Sequence, residues 1–456
     1  MTEKLILSPK HRSTHTYVIG QPGTGKSRAM ESWIMQDILS GHGVGVIDPH
    51  GDLVNNIVMR LVAYPSVWER IVLVNPFDEN WSVGINPLEP IQGLPLERTS
   101  AFMTDVMMKI WRLDPTNAPR MLWLVMNTFL ALSDLGLTLL DIPLFLQDKH
   151  YRNELLPSIS FPRVRDYFQK EFPTDRETII QWTSPALNKI GALIFDPDIR
   201  PMLAGGQTLN LREVMDQEKV LLVNLSKGLL GEAASSLIGA FILARLQNVA
   251  LSRVDTQQRL PFYLYLDEFQ NYTTDNIKDI LAESRKYGLS MTFAHQFLDQ
   301  IPEEILSAVI NTAGTIVSFR VGFQDALILA KEIFPNSKFK EEDANNLVMK
   351  LDGVWPKLEI ERRREPTNWD NQAHLLTSLK LREFWVKRRG VIAPSKHLSH
   401  FMPDVKISSV NRIMRTMLIN QSGKTYGRSK HAIISQVENR RVDAISQVND
   451  VPLWES

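Results

Sequence analysis

The chain has 456 residues, 44% of them hydrophobic, and its 51 lysines and arginines balance 51 aspartates and glutamates. This length allows roughly two or three domains with sizeable cores, and the balanced charge excludes a chain-wide field that would attract nucleic acid or an anionic membrane. The absence of cysteine excludes disulfides, thiolate metal sites and cysteine nucleophiles. Together with first residues that lack an export signal, it favours the cytoplasm.

The N-terminal part alternates between predicted strands and helices. The β-prone run 15–19 leads into a glycine-rich loop, and the apolar spacing of residues 26–40 predicts a helix. A strand at 44–47, a loop at 48–52, a helix to about residue 63 and a strand at 71–74 follow. Such alternation predicts a parallel sheet with helices on its faces.

Residues 96–202 lack β-branched strand runs, and long apolar-periodic segments predict an all-helical insertion there. Within it, residues 121–146 are the run that most resembles a membrane span. Polar residues interrupt that run, among them Asn127, Ser133, Asp134 and Asp141. We therefore expect two buried helices joined by a turn, and no membrane segment.

Strand patterns resume at 219–225, 262–266, 290–294 and 315–319 and weaken past residue 322. We predict an α/β fold in which residues 1–95 and 206–390 form one interrupted domain, residues 96–205 an all-α inserted domain, and residues 391–456 a polar, mildly basic tail. The tail is expected to be a loosely ordered appendage, with a functional arm as the alternative.

A complete phosphate-loop pattern, G-x-x-x-x-G-K-[ST], lies between the first strand and the first helix. In this pattern the backbone N–H groups and the helix N-terminus face phosphates, Lys26 reaches the β and γ phosphates, and Ser27 ligates Mg²⁺. A chance glycine-rich turn is the plain alternative. The pattern predicts ATP and Mg²⁺ as ligands, with nucleotide-binding residues Gly20, Gln21, Pro22, Gly23, Thr24, Gly25, Lys26, Ser27 and Arg28.

The apolar strand 262–266 ends in two adjacent carboxylates, Asp267 and Glu268. Alone, such a pair more often caps the next helix. With a phosphate loop upstream, Asp267 is predicted to hold the Mg²⁺, and Glu268 to orient and deprotonate the water that attacks the γ-phosphate. The pair therefore predicts hydrolysis, and a kinase is disfavoured because no acceptor pocket or arginine-rich lid is evident.

Four further polar residues are candidates for the same chemistry. Arg285 lies in the last turn of a helix predicted at 275–286, where a cation is favoured for structural reasons alone. His295 and Gln296 end the strand at 290–294, and they either cap a loop or contact the γ-phosphate. Arg320 is a weaker candidate, facing the nucleotide or a neighbouring subunit.

Segments spread from residue 15 to residue 322 resemble, in family order, the FtsK/HerA superfamily of ring-forming motors, and most closely the TraG-like coupling ATPases of conjugative type IV secretion systems. The segments are HTYVIGQPGTGKS, GVGVIDPHGDL, LNKIGALIFDPDIRPML, KVLLVNLSKG, FYLYLDEFQNY, ESRKYGLSMTFAHQ and NTAGTIVSFRVG.

The resemblance implies a RecA-like motor domain interrupted by an all-α domain, a hexameric ring, and ATP-driven movement of DNA. It also implies that Arg285 reaches the γ-phosphate of a neighbouring subunit and that Gln296 is a sensor. The expected catalytic residues are then Glu268, Lys26, Arg285 and Gln296, with Ser27 and Asp267 at the metal. Relatives usually carry an N-terminal membrane anchor or β-barrel before the phosphate loop, which here begins at residue 20.

Three functional hypotheses follow. The leading one is a DNA-translocating ring ATPase that moves DNA, or a DNA–relaxase complex, towards a type IV secretion channel and is recruited to the inner face of the membrane by its partners. The second is a HerA-like translocase that works with a nuclease in repair or phage defence. The third is a nucleotide-gated adaptor that does not translocate.

Overall fold

The computed structural model describes residues 9–111, 113, 116, 118–204, 208–272, 281, 283–334, 368–391, 393–405 and 408–436. Strands within these residues are β1 His15–Ile19, β2 Gly43–Asp48, β3 Ile71–Val74, β4 Trp81–Ser82, β5 Val220–Asn224, β6 Phe262–Leu266, β7 Leu289–His295, β8 Ala313–Ser318, β9 Glu383–Arg388, β10 Ser395–Leu398 and β11 Arg428–Ser429.

The α-helices of the first half are α1 Pro9–Arg12, α2 Lys26–Leu39, α3 Asp52–Leu61, α4 Leu96–Ile110, α5 Pro119–Asp134, α6 Ile142–Gln147, α7 Lys149–Leu155, α8 Pro162–Asp166 and α9 Arg176–Ile194. Those that follow are α10 Arg200–Leu203, α11 Leu211–Asp216, α12 Lys227–Leu230, α13 Glu232–Ser252, α14 Glu303–Thr312, α15 Phe323–Ile333, α16 Asn368–Thr377 and α17 Ser409–Tyr426.

A nine-stranded sheet in the order β10-β9-β8-β1-β7-β6-β2-β5-β3 forms the centre of the fold. Neighbouring strands from β8 to β3 pair in parallel, whereas β9 and β10 pair antiparallel. Strands β2, β3, β5 and β6 are buried along their whole length, as expected for parallel strands covered on both faces. The parallel arrangement brings the carboxyl ends of β1, β7, β6 and β2 to one edge.

The predicted α/β pattern is confirmed, and the nine-stranded sheet contains two strands that the sequence did not suggest. Strands β9 and β10 have the sequences EFWVKR and SKHL, in which charged residues alternate with buried ones. Such composition is typical of antiparallel strands at a sheet edge, where charges discourage further pairing. The long apolar runs used to predict strands are absent there, and the strand pattern of the sequence therefore weakens past residue 322.

Between β4 and β5 the described residues form helices, and an isolated parallel bridge pairs Gly84 with Thr208 near the two ends of this stretch. The run 121–146 contains α5 and α6 with a short 3₁₀ turn at Leu139–Asp141, as expected. Residues of this helical part, such as Met107 and Phe129, share one hydrophobic core with Val72 and Phe241 of the sheet region.

Helix α13 is apolar on all sides because it is a core helix. In the part of the chain that the structure describes, one stretch, Glu232–Asp255, is long and apolar enough to span a membrane, and 94% of its most apolar window is buried in the protein. This is a different segment from the 121–146 run considered above.

The expected loosely ordered tail is not observed at residues 408–429. Helix α17 packs on the edge strand β3, where the Leu73 N–H donates to Ser422 Oγ at 2.9 Å. The Trp81 indole donates to Asn420 Oδ1 at 3.0 Å, and β11 pairs with β4. Buried Leu418 completes the contact. A helix with one buried stripe carries many polar residues on its outer face. The prediction of a loosely ordered tail was therefore wrong here, because it rested on the overall polarity of the segment.

Gly423 allows α17 to approach Trp81 closely, because a Cβ at this position would lie 2.2 Å from Trp81 Cγ. Helix propensity alone makes alanine better than glycine by about 1 kcal/mol. We expect the steric conflict to dominate, so that Gly423→Ala lowers the free energy of unfolding by about 1–3 kcal/mol. Chemical denaturation measures this change. The exposed neighbour Lys424→Ala is the control, and a stabilised Gly423→Ala protein would contradict the packing.

Candidate nucleotide-binding site

The phosphate-loop residues connect β1 to α2 in a shape fixed by backbone and local hydrogen bonds. Gly25 precedes α2 with φ of 100°, a left-handed conformation that favours glycine. The Thr24 hydroxyl donates to the Gln21 carbonyl at 2.7 Å, and the Gln21 N–H donates to the Arg320 carbonyl at 2.9 Å. The residue before α2 makes no side-chain cap. The N–H groups of the first helical turn are thus available to an anion.

Lys26 is the residue that most directly indicates an anion-binding site. Its side chain is buried, and its ammonium has no hydrogen-bond partner among the described residues. The nearest opposite charge is Glu268 Oε1, 3.5 Å from Lys26 Nζ. A buried ammonium is costly unless it is paired and hydrogen-bonded. The position therefore fits a phosphate group, as the sequence predicts.

Strand β6 places Asp267 and Glu268 at the same edge of the sheet, both 6% exposed. Glu268 Oε1 accepts a hydrogen bond from Gln296 Nε2 at 2.7 Å, and Oε2 accepts one from Gln270 Nε2 at 2.8 Å. The backbone of Glu268 has φ of 45°, which is unusual for a residue with a side chain. The carboxylate is thus held in a defined orientation next to Lys26.

The pKa values of the two carboxylates are shifted in opposite directions. Burial raises the pKa of Asp267 to about 6, with Lys26 opposing the shift and the charges of Asp48 and Glu268 adding to it. For Glu268, burial also opposes ionisation, but Lys26 and the hydrogen bonds from Gln270 and Gln296 leave the pKa below its ordinary value. Glu268 is therefore ionised and able to accept a proton. A divalent cation beside Asp267 would favour its carboxylate form, and Ser27 and Asp267 offer the oxygen ligands that Mg²⁺ prefers.

The end of β2 adds a buried carboxylate, Asp48, to which the sequence pattern assigned no role. Asp48 is fully buried at the end of β2, where its carboxylate accepts from the His50 N–H at 2.9 Å and the Val54 N–H at 3.0 Å. Strand β2 is the neighbour of β6, and the Asp267 N–H donates to the Ile47 carbonyl at 3.2 Å. A polar residue ending a buried parallel strand is the signal that could have identified Asp48.

The arginines predicted near the nucleotide lie in different places. Arg285 is exposed in a 3₁₀ turn, Ser284–Tyr287, directly before β7, and its charge acts on His15 at the start of β1. It thus lies at the amino edge of the sheet, away from Glu268 of its own chain. Residues 275–280 of the predicted helix lie outside the described residues. Arg28 pairs with Glu31 and Asp404.

His295 and His15 are buried histidines that require the neutral form. His295 Nε2 is 2.5 Å from the Tyr17 hydroxyl, and burial, with the Lys26 charge, lowers the pKa of His295 to about 4. His15 lies 3.0 Å from the Leu281 carbonyl through Nε2 and accepts from the Met291 N–H at 3.1 Å through Nδ1. Burial lowers its pKa to about 4 as well. Neither histidine is placed to act as a base near neutral pH.

Because these two histidines are buried in their neutral form, we expect the folded protein to lose stability in acid. Their folded-state pKa of about 4 is below the ordinary 6.5, so acid protonates the unfolded chain first and stability falls as the pH drops from 6.5 towards 4. Between pH 7.5 and 5.5 each should remove about 1.3 kcal/mol from the free energy of unfolding. Urea denaturation at both pH values measures this loss. His295→Gln should reduce it and exposed His431→Gln should not; an unchanged loss in His295→Gln would refute the assignment.

Solved structures of other proteins share this fold. No protein-family model matches the sequence, and no curated protein matches it. Among solved structures, the chain is similar to the plasmid coupling protein TrwB in complex with the GTP analogue GDPNP, with a TM-score of 0.60 and 14% identity over 87% of each chain. TrwB in complex with the ATP analogue ADPNP is similar to the chain with a TM-score of 0.60 and 12% identity over 88% of each chain.

VirB4 of Thermoanaerobacter pseudethanolicus is also similar, with a TM-score of 0.51 and 13% identity over 85% of this chain and 90% of that chain. At such identities the similarity establishes the fold. This chain has a RecA-like P-loop NTPase core built on a mostly parallel sheet.

Proposed function

We propose that this protein is an Mg²⁺-dependent ATPase that works as a DNA-translocating ring motor of the conjugative coupling type. The observation that carries the ATPase part is the buried Lys26 ammonium, which has no hydrogen-bond partner among the described residues and faces an ionised Glu268. The resemblance to TraG-like coupling ATPases and the fold shared with TrwB support the coupling role.

In the proposed site, Lys26 and the N–H groups at the start of α2 hold the phosphates, while Ser27 and Asp267 hold the Mg²⁺. The metal ion would neutralise charge on the phosphates. Glu268, oriented by Gln270 and Gln296, accepts a proton from the attacking water.

Gln296 is proposed as the sensor of the γ-phosphate. It directly follows β7 and donates to Glu268, which in turn faces Lys26. A phosphate that draws Lys26 away from Glu268 changes the environment of the carboxylate to which Gln296 is bonded. The state of the nucleotide would then reach β7, and β7 continues towards Arg285 at its other end.

Arg285 is proposed to complete the site of a neighbouring copy. Its exposure at the edge opposite Glu268 leaves it free to approach a second subunit. Arg285→Ala should lower ATP hydrolysis by about 10³-fold. Mixing it with Glu268→Gln should restore activity, because mixed assemblies contain sites with both an intact Glu268 and a partner arginine. Lys286→Ala is the adjacent exposed control, and an unaffected Arg285→Ala protein would exclude the role.

A single-molecule translocation assay tests the motor function. We expect ATP-driven, directional movement on DNA that Glu268→Gln abolishes. ATP-dependent partner binding without movement would instead support the nucleotide-gated adaptor. Electron microscopy with DNA and a non-hydrolysable ATP analogue would show whether a hexameric ring encloses the strand.

A further inference from the structure

The arrangement of strands fixes which way a bound nucleotide points, provided that the proposed ATP site is correct. Strand β1, which leads into the phosphate loop, lies between β7 and β8. Glu268 and Gln296 follow β6 and β7, on one side of β1. The terminal phosphate must therefore extend towards that side, and the nucleoside must extend towards β8 and β9.

The turn before β9 lies against the phosphate loop on this nucleoside side. The Arg382 N–H donates to the Thr24 carbonyl at 2.9 Å. A Cβ added to Gly25 would lie 3.4 Å from Arg382 Cα. Arg382 itself has φ of 71°, one of three positive values among non-glycine residues in the described ranges. An arginine is thus held in an unfavourable backbone conformation directly beside the loop.

The Arg382 side chain orders an exposed aromatic ring. Its Nη2 donates to the Ser399 carbonyl at 2.6 Å, and the Ser399 N–H donates to the Arg382 carbonyl at 2.9 Å. The guanidinium carbon lies 5.3 Å from the centre of the Phe401 ring. That ring is 61% exposed. A cation and an aromatic face therefore lie together, next to the phosphate loop and open to solvent.

The segment after Phe401 is attached to the helices that follow the phosphate loop and β2. Arg28 on α2 pairs with Asp404, and Arg60 on α3 donates to the Pro403 carbonyl at 2.7 Å. Both arginines also pair with Glu31, which is buried. The position of Phe401 is thus fixed on both sides, by Arg382 and by α2 and α3. A fixed aromatic ring loses little conformational entropy when it binds a flat ligand.

We propose that Phe401 and Arg382 form the stacking platform for the purine base of a nucleotide whose phosphates lie in the phosphate loop. Bases stack on aromatic rings and on arginine through their π faces. Stacking does not read the hydrogen-bonding edge of the base, and the platform therefore accepts adenine and guanine alike. It also makes the C-terminal segment part of the nucleotide site.

Calorimetric titration with ATP and with inorganic tripolyphosphate tests the platform. Tripolyphosphate has the phosphate chain without a base, so its affinity should not depend on the platform. We expect Phe401→Ala to lower the affinity for ATP about 10-fold to 100-fold and to leave the affinity for tripolyphosphate unchanged. The affinity for GTP should fall by a similar factor. Phe195→Ala removes a phenylalanine that is 70% exposed far from the site in sequence, and it should bind both ligands normally.

Two more variants distinguish a loss of base stacking from a defect in folding. Phe401→Trp should retain ATP affinity. Arg382→Gly removes the guanidinium, while glycine accepts the positive φ and keeps the N–H that donates to Thr24; it should weaken ATP selectively.

Equal ATP affinities in Phe401→Ala and wild type would overturn the platform while leaving the ATP site intact. An equal loss of affinity for ATP and for tripolyphosphate in Phe401→Ala would also overturn the platform. If the wild-type protein bound neither ligand, the proposed ATP site and the platform would fall together.

Discussion

Lys26→Ala is expected to abolish ATP hydrolysis, with kcat falling by about 10³-fold or more. The wild-type ammonium is buried, lacks a hydrogen-bond partner among the described residues, and lies 3.5 Å from Glu268. Alanine supplies no charge for the β and γ phosphates, and losing a charged hydrogen bond should weaken nucleotide binding about 10-fold to 100-fold. Phosphate release and calorimetric titration measure the two effects.

The loss of hydrolysis in Lys26→Ala must be separated from a loss of folding. The nearest opposite charge to Lys26 is more than 3 Å away, whereas Glu268 keeps its hydrogen bonds to Gln270 and Gln296. The variant should therefore remain folded, with a thermal transition close to that of wild type. Lys331→Ala, an exposed lysine on α15, should hydrolyse ATP normally. Hydrolysis at the wild-type rate by Lys26→Ala would show that the phosphate loop is not the catalytic site.

Glu268→Gln is expected to separate binding from hydrolysis. Glutamine has nearly the same shape and can still form hydrogen bonds with Gln270 and Gln296, but it cannot accept the proton of the attacking water. It also removes the negative charge that competes with phosphates for Lys26. ATP should therefore bind at least as tightly as in wild type, while the single-turnover rate of hydrolysis falls by about 10²-fold to 10⁴-fold.

The two variants make opposite predictions for ATP affinity, and together they test the roles assigned to the site. Rapid-quench measurement of a single turnover gives the chemical step, and titration gives the affinity. Glu332→Gln, an exposed glutamate on α15, is the matched control. If Glu268→Gln cleaved ATP at the wild-type rate, another group would have to be the base.

Several features of the site could be predicted because they are local in sequence. The phosphate loop is a contiguous run whose glycines, lysine and serine are needed at fixed spacing, and Asp267 and Glu268 directly follow an apolar strand. Buried parallel strands also have continuous apolar runs, and β1, β3 and β6 have the bounds that those runs predict. The sequence by itself therefore determined the fold class and the centre of the candidate site.

Tertiary structure decided which distant residues meet there. Gln270 and Gln296 both bind Glu268, although only Gln296 was a candidate, because the partners of one carboxylate depend on how β6 and β7 lie side by side. Arg285 precedes β7 and Gln296 follows it, and the strand between them puts the two at opposite edges of the sheet. No local pattern records such a separation.

The C-terminal part shows the largest difference between prediction and structure. Its edge strands and α17 are amphipathic or charged, so their composition resembles that of a solvated tail. Antiparallel pairing of β9 with β8 nevertheless brings Arg382 to the phosphate loop, more than 350 residues away in sequence from Thr24. The sequence alone determined the residues that must be adjacent for phosphate chemistry, whereas long-range strand pairing, set by the packing of the whole sheet, determined what surrounds them.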